Sequence, residues 1–109
     1  MAILMYLSLF SGALLAALSV PMIMGKIPPN GLYGFRVRKT MENPDIWYPV
    51  NAYSGKWLLA AGLIMAGAAV GLFFVLGLSL DVYAYAVLAV WVVVFTVGII
   101  ASVRYMNSL

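Results

Sequence analysis

Polar and apolar positions fall along this chain in blocks. Residues 2–24, 57–80 and 82–103 carry no charged side chain, and these runs are 23, 24 and 22 residues long. A helix rises about 1.5 Å per residue, so about 20 apolar residues cross a hydrocarbon core about 30 Å thick. Each run therefore predicts a transmembrane helix. A 32-residue polar segment, residues 25–56, separates the first run from the second. The pattern predicts an all-α membrane protein in which residues 1–109 form a single membrane domain. Three transmembrane helices would be joined through an ordered connection on the cytoplasmic side.

The first run reads as a retained helix. No basic residue precedes it, and it is longer than the apolar core of a signal peptide, about 7–15 residues. Pro21 lies near its end, where a kink is easily tolerated. Only Leu78, Ser79, Leu80 and Asp81 separate the second and third runs, which predicts a tight antiparallel hairpin. Either Asp81 caps the third helix, or Ser79 caps it with Asp81 in the first turn. Small residues recur on each span: Ser8, Gly12 and Ala16, then Gly62, Ala66, Gly67 and Gly71, then Thr96, Gly98 and Ala101. Small residues let helix backbones approach closely in lipid. They predict either packing within the chain or a homodimer face.

Composition agrees with a bilayer as solvent. The chain is 66% hydrophobic and 8% charged, against about 25% charged in soluble domains. Its net charge is +3. All of that excess lies in the connection, where Lys26, Arg36, Arg38, Lys39 and Lys56 face Glu42 and Asp45. We read it as a match to an anionic lipid surface and not to nucleic acid. Basic residues favour the cytoplasmic side, so the N-terminus is expected outside and the C-terminus, with Arg104, in the cytoplasm. Trp47, Tyr48, Tyr53, Trp57 and Tyr105 would anchor the inner interface, and Tyr83, Tyr85 and Trp91 the outer one.

Chemistry is bounded by what is missing. The sequence has no Cys and no His, which removes thiol catalysis, disulfides, Cys/His zinc sites and the usual general base near neutral pH. No cofactor is expected. The acids are Glu42, Asp45 and Asp81, with Asp81 on the opposite side, and no ionisable side chain lies within a span. Neither an enzyme nor an ion pathway is expected.

The connection carries structural signals. Pro28 and Pro29 stop the first helix, and Asn30-Gly31 marks a turn. Residues 33–38 alternate, which predicts an extended stretch with Tyr33, Phe35 and Val37 on one side and Gly34, Arg36 and Arg38 on the other. Asn43-Pro44 predicts a helix start. Ile46, Val50, Tyr53 and Trp57 then share one face, so a short interfacial helix is expected, kinked near Pro49 and continuing into the second span.

Asn30, Tyr33, Gly34, Phe35, Arg36 and Thr40, followed by Trp47, Asn51, Gly55 and Lys56, form a spaced pattern that resembles the SdpI family of bacterial membrane proteins. The likeness covers the connection and its flanking helices. It implies a multi-pass protein of the bacterial inner membrane. Founding members of that family confer immunity to a secreted peptide toxin and act as receptors that recruit a repressor to the membrane. They are longer than this chain, whose three spans resemble their carboxy-terminal module.

The candidate site residues are Asn30, Tyr33, Arg36, Arg38, Thr40, Trp47, Asn51 and Lys56. The arginines could hold Glu42 and Asp45, or a lipid phosphate, or a ligand carboxylate. The polar residues could equally fasten the connection to its own helices. Two functions are open: binding of a peptide toxin, lipid headgroup or membrane-protein partner, or an accessory role on a larger membrane complex.

Overall fold

In the computed structural model, residues 2–30, 34–75 and 78–109 are described; Tyr33 lies outside them. The described residues form four helices, α1 (Ala2–Ile23), α2 (Arg38–Glu42), α3 (Pro44–Phe73) and α4 (Leu80–Asn107). Three of these, α1, α3 and α4, are long and apolar enough to cross a membrane. They pack into an elongated bundle of 50 × 22 × 18 Å, with α3 against both α1 and α4.

Helix ends follow local chemistry. Helix α1 closes in a Schellman motif. The N–H of Lys26 donates to the Pro21 carbonyl at 3.0 Å and that of Gly25 to Met22 at 3.2 Å. Gly25 takes the required positive φ of 69°. Helix α3 starts at Pro44, with Asn43 as N-cap accepting from the Asp45 N–H at 3.0 Å. Ser79 caps α4 by accepting from the Val82 N–H at 3.2 Å, which leaves Asp81 in the first turn.

The helix expected from Asn43-Pro44 does continue into the second span, and one boundary differs from the sequence reading. The chain from Pro44 to Phe73 is one helix with Pro49 inside it. Pro49 falls early, so only the one backbone bond to the preceding turn is lost. The second span ends sooner than expected, at Phe73. Leu80 already belongs to α4.

Length explains the role of α3. Thirty residues rise about 45 Å, more than a bilayer core requires. About ten residues are left over, and the first turns of α3 serve as the platform for the connection.

The α1–α3 contact is built on glycine. Gly12 and Gly62 face each other, and a Cβ on either would run into the other's carbonyl oxygen. Ala16 and Ala66 flank this crossing. Further along, Gly55 sits against Met22, Ile23 and the Ser19 carbonyl. These small residues thus pack within the chain. Gly67 and Gly71 do not share this work, since a Cβ on either meets nothing within 4 Å.

Helix α4 is fastened to α3 at two levels. The Tyr83 hydroxyl donates to the Ala69 carbonyl at 2.7 Å, and the Ser54 hydroxyl donates to that of Ser102 at 2.8 Å. Met5, Met65, Tyr83 and Val87 close a core at the hairpin end. Tyr83 and Trp47 are fully buried. Their polar atoms are satisfied inside the bundle, so they are core residues and not interfacial anchors. Tyr48 and Tyr85 do face outward.

Gly62→Ala should destabilise the bundle by about 2 kcal/mol through overpacking of two backbones. Gly67→Ala should be neutral or slightly stabilising, because it adds helix propensity in open space. Reversible unfolding in mixed detergent micelles reads both, and equal effects at the two glycines would refute the crossing.

Candidate functional site

The site grows from one face of α3. Trp47, Val50, Asn51 and Ser54 are spaced three, one and three residues apart, and all are buried. That is the i, i+3, i+4, i+7 pattern of a packed helix face. The sequence placed the apolar face on Ile46, Val50, Tyr53 and Trp57. Of these only Val50 is fully buried, because Asn51 and Ser54 are polar residues doing core work.

Trp47 and Asn51 on that face each hold a piece of the connection. The Trp47 indole N–H donates to the Ile27 carbonyl at 2.7 Å. This pins the chain just after it leaves α1. One turn on, the Asn51 Oδ1 accepts from the Phe35 N–H at 2.6 Å. The other end of the Asn51 amide, Nδ2, donates to the Trp47 carbonyl at 2.9 Å, which fixes the side-chain orientation.

Thr40 completes the arrangement from α2. Its hydroxyl oxygen accepts from the Val37 N–H at 3.0 Å, the back-bond of a capping box. The hydroxyl proton can reach the Phe35 carbonyl at 2.9 Å or that of Val37 at 2.8 Å. A hydroxyl has one proton to give, so it serves one of these at a time. Thr40 is fully buried. Phe35 thus has its N–H held by α3 and its carbonyl within reach of α2.

Gly34 makes that approach feasible. Its φ is 111°, a region that side chains rarely enter. A Cβ there would lie 2.6 Å from the Asn51 Oδ1 and 3.3 Å from the Trp47 ring. The backbone conformation and the space both require glycine.

Phe35 borders a groove between α1, α3 and α4. The groove has a volume of about 310 Å³ and is lined by Leu15, Leu18 and Met22 of α1, by Ser54, Trp57, Leu58 and Ala61 of α3, and by Val94, Phe95, Gly98, Ile99 and Ser102 of α4. Gly34 and Phe35 of the connection also line it. Its walls are overwhelmingly apolar.

The candidate residues from sequence therefore divide. Thr40, Trp47 and Asn51 come together around Gly34 and Phe35. Asn30 makes a local turn contact, its amide donating to the Pro28 carbonyl at 2.8 Å. Arg36, next to Phe35, is exposed. Arg38 is exposed and pairs with Glu42 at 3.1 Å, an arrangement that contributes at most about 1 kcal/mol. It sits on α2 and not on the extended stretch. Lys56 is exposed farther along α3. Lys39 donates to the Met106 carbonyl at 3.4 Å, where a cation suits the C-terminal dipole of α4. Asp45 lies in the first turn of α3, where its charge suits the dipole. Sequence reasoning did not single out Phe35 as a functional side chain, nor the Ser54–Ser102 bond. Helical spacing from Trp47 and Asn51 was the available signal for Ser54.

Fold and site together define a multi-span membrane protein whose polar connection is bonded onto the bundle. The chain belongs to the SdpI/YfhL protein family, whose profile matches residues 26–105. It is also similar to the "Uncharacterized protein YfhL" of Bacillus subtilis (strain 168), with 37% identity over 38 residues. That alignment covers 35% of this chain and 34% of the relative. No solved structure matches the chain.

Asn51→Ala should cost about 1–3 kcal/mol, since it strands the Phe35 N–H. Hydrogen exchange at the Phe35 amide should accelerate while exchange within α4 is unchanged. Equal acceleration throughout the bundle would mean that Asn51 supports global stability and not the connection in particular.

Proposed function

We propose that the chain is a membrane receptor or immunity protein that seats apolar side chains of a membrane-active peptide in the groove between α1, α3 and α4. The observation that carries this reading is the position of Phe35. Phe35 lines the groove, while its backbone is bonded to Asn51 and Thr40. An occupant of the groove would press on Phe35. Its displacement would load the bonds that hold α2, which presents Arg38 beyond the bundle and fastens Lys39 to the end of α4.

Two further features support the reading. A volume of about 310 Å³ falls at the lower end of the range for small-ligand sites, about 300–1,000 Å³. The groove lies open between helices that otherwise pack closely. Resemblance to immunity proteins against a secreted peptide supplies the class of ligand. In this reading Arg36 belongs to the polar rim, and an acyl chain is the competing occupant.

The orientation is part of the proposal. Lys39 contacts the end of α4, so the connection and the C-terminus share one end of the bundle. Basic residues gather there and Asp81 lies at the other end, which by the positive-inside tendency faces the first end to the cytoplasm. The bacterial cell membrane is the expected location.

Cells expressing the chain and challenged with the peptide toxin that founding family members resist provide the test. Gly98→Leu should fill the groove, because a Cβ there meets only Trp57, at 3.5 Å and beyond. Protection should fall at least about tenfold in toxin dose, equivalent to about 1.4 kcal/mol of binding. The amount of folded protein in the membrane should not change. Undiminished protection with the groove filled would sink the proposal.

Orientation has its own test, made clean by the absence of cysteine. A single cysteine at Ser79 should react with a membrane-impermeant maleimide applied to intact cells. One at Asp45 should react only after lysis, and the reverse result inverts the topology.

A further inference from the structure

The opposite side of the α3–α4 pair carries a second concavity that the proposed peptide site does not use. It is a shallow depression of about 480 Å³, lined by Tyr53, Val97, Ile100, Ala101, Arg104 and Tyr105. The rings of Tyr53 and Tyr105 stack with centroids 4.4 Å apart and planes 13° from parallel. The stack bridges α3 and α4 at the end of the bundle that holds the connection.

The geometry points to this depression as a binding site for one anionic phospholipid, with its phosphate on Arg104 and an acyl chain along Val97 and Ile100. Charge and position argue for that occupant. No hydrogen bond or ion pair to the Arg104 guanidinium forms among the described residues. A guanidinium presents a rigid fork of donors that matches phosphate oxygens in pairs. Arg104 lies near the end of a spanning helix, where an arginine reaches the headgroup level.

The lining changes character along α4 in the order a lipid requires. Arg104 is the cationic end, and Ala101, Ile100 and Val97 follow it toward the middle of the span. Ile100 is 53% exposed and Val97 45% exposed, so this wall is available to a chain of methylene groups. The stacked tyrosines supply amphipathic rings at the boundary between the two. Lys56 stands one turn from Tyr53 on α3 and is exposed. It adds a second positive charge near the same face. A soluble anion would use the arginine and leave the apolar wall uncovered.

Native mass spectrometry of the protein, extracted in mild detergent from vesicles of equal phosphatidylglycerol and phosphatidylcholine, tests this directly. The wild type should retain one phosphatidylglycerol in preference to phosphatidylcholine. Arg104→Gln should weaken that retention about tenfold or more, as expected for loss of charge-assisted bonds. Arg38→Gln removes an equal charge away from the depression and should leave retention unchanged. Equal losses in the two variants would reduce the effect to net charge and overturn the site. Retention abolished by excess inorganic phosphate would overturn it too, since the acyl contact would then contribute nothing. A dimer or a foreign protein on this face, without lipid, would assign the depression to that partner instead. Should Arg104→Gln fail to fold, Ile100→Ser tests the acyl wall, and full lipid retention there refutes the proposal.

Discussion

A peptide group at the edge of a bilayer has few places to send its hydrogen bonds. Water is scarce, and an unsatisfied group costs several kcal/mol. Helices meet this demand internally, but the chain between α1 and α3 is largely not helical. The two bonds at Phe35 answer the problem at its hardest point. Asn51 takes the N–H, and Thr40 approaches the carbonyl. Gly34 is bare because Asn51 must come that close, and Trp47 is sunk beneath because it holds both the ring contact and the Ile27 carbonyl. Removing any one of these leaves another polar group exposed to an apolar surrounding.

This dependence makes the first turns of α3 the organising element of the bundle. The same helix crosses the membrane against Gly12 and Ala16 through Gly62 and Ala66. It binds α4 through Ser54 and Ala69. Ser54 lies three residues from Asn51, so the bond to α4 and the bond to the connection sit on neighbouring positions of one face. A shift of α3 at this level would be felt by both. The apolar groove begins at the same place, with Ser54, Phe35 and Ser102 all in its lining.

The spans were legible because a bilayer imposes a length and a lack of charge that few other solvents require. The Asn43-Pro44 start was legible from capping chemistry, as was the pairing of Ser79 with Asp81 as one of two alternatives. The sequence was less informative wherever a residue acted against its usual class. Asn51, Ser54 and Thr40 are polar but buried, so an apolar periodicity on α3 was drawn on the wrong face. Trp47 and Tyr83 have the composition of interfacial anchors, yet their donors find carbonyls within the bundle. Pro49 suggested a break, but so early in a helix it removes only one bond. Gly67 and Gly71 have the spacing of a helix crossing and face open space, since spacing alone does not say which face is turned inward.

The family pattern can now be read as geometry. Of its ten positions in this chain, Gly34, Phe35, Thr40, Trp47 and Asn51 form one bonded cluster, and Gly55 lies against α1 in the same helix. These are residues that set backbone and packing, and they explain why the pattern is spaced as it is. Asn51 must follow Trp47 by four residues to sit one turn above it. Gly34 must directly precede the peptide that Asn51 holds. The charged members, Arg36 and Lys56, are exposed, so the clamp on Phe35 holds the connection with its charge turned to the polar surface. A membrane protein can in this way keep one rigid junction between its groove and its polar surface.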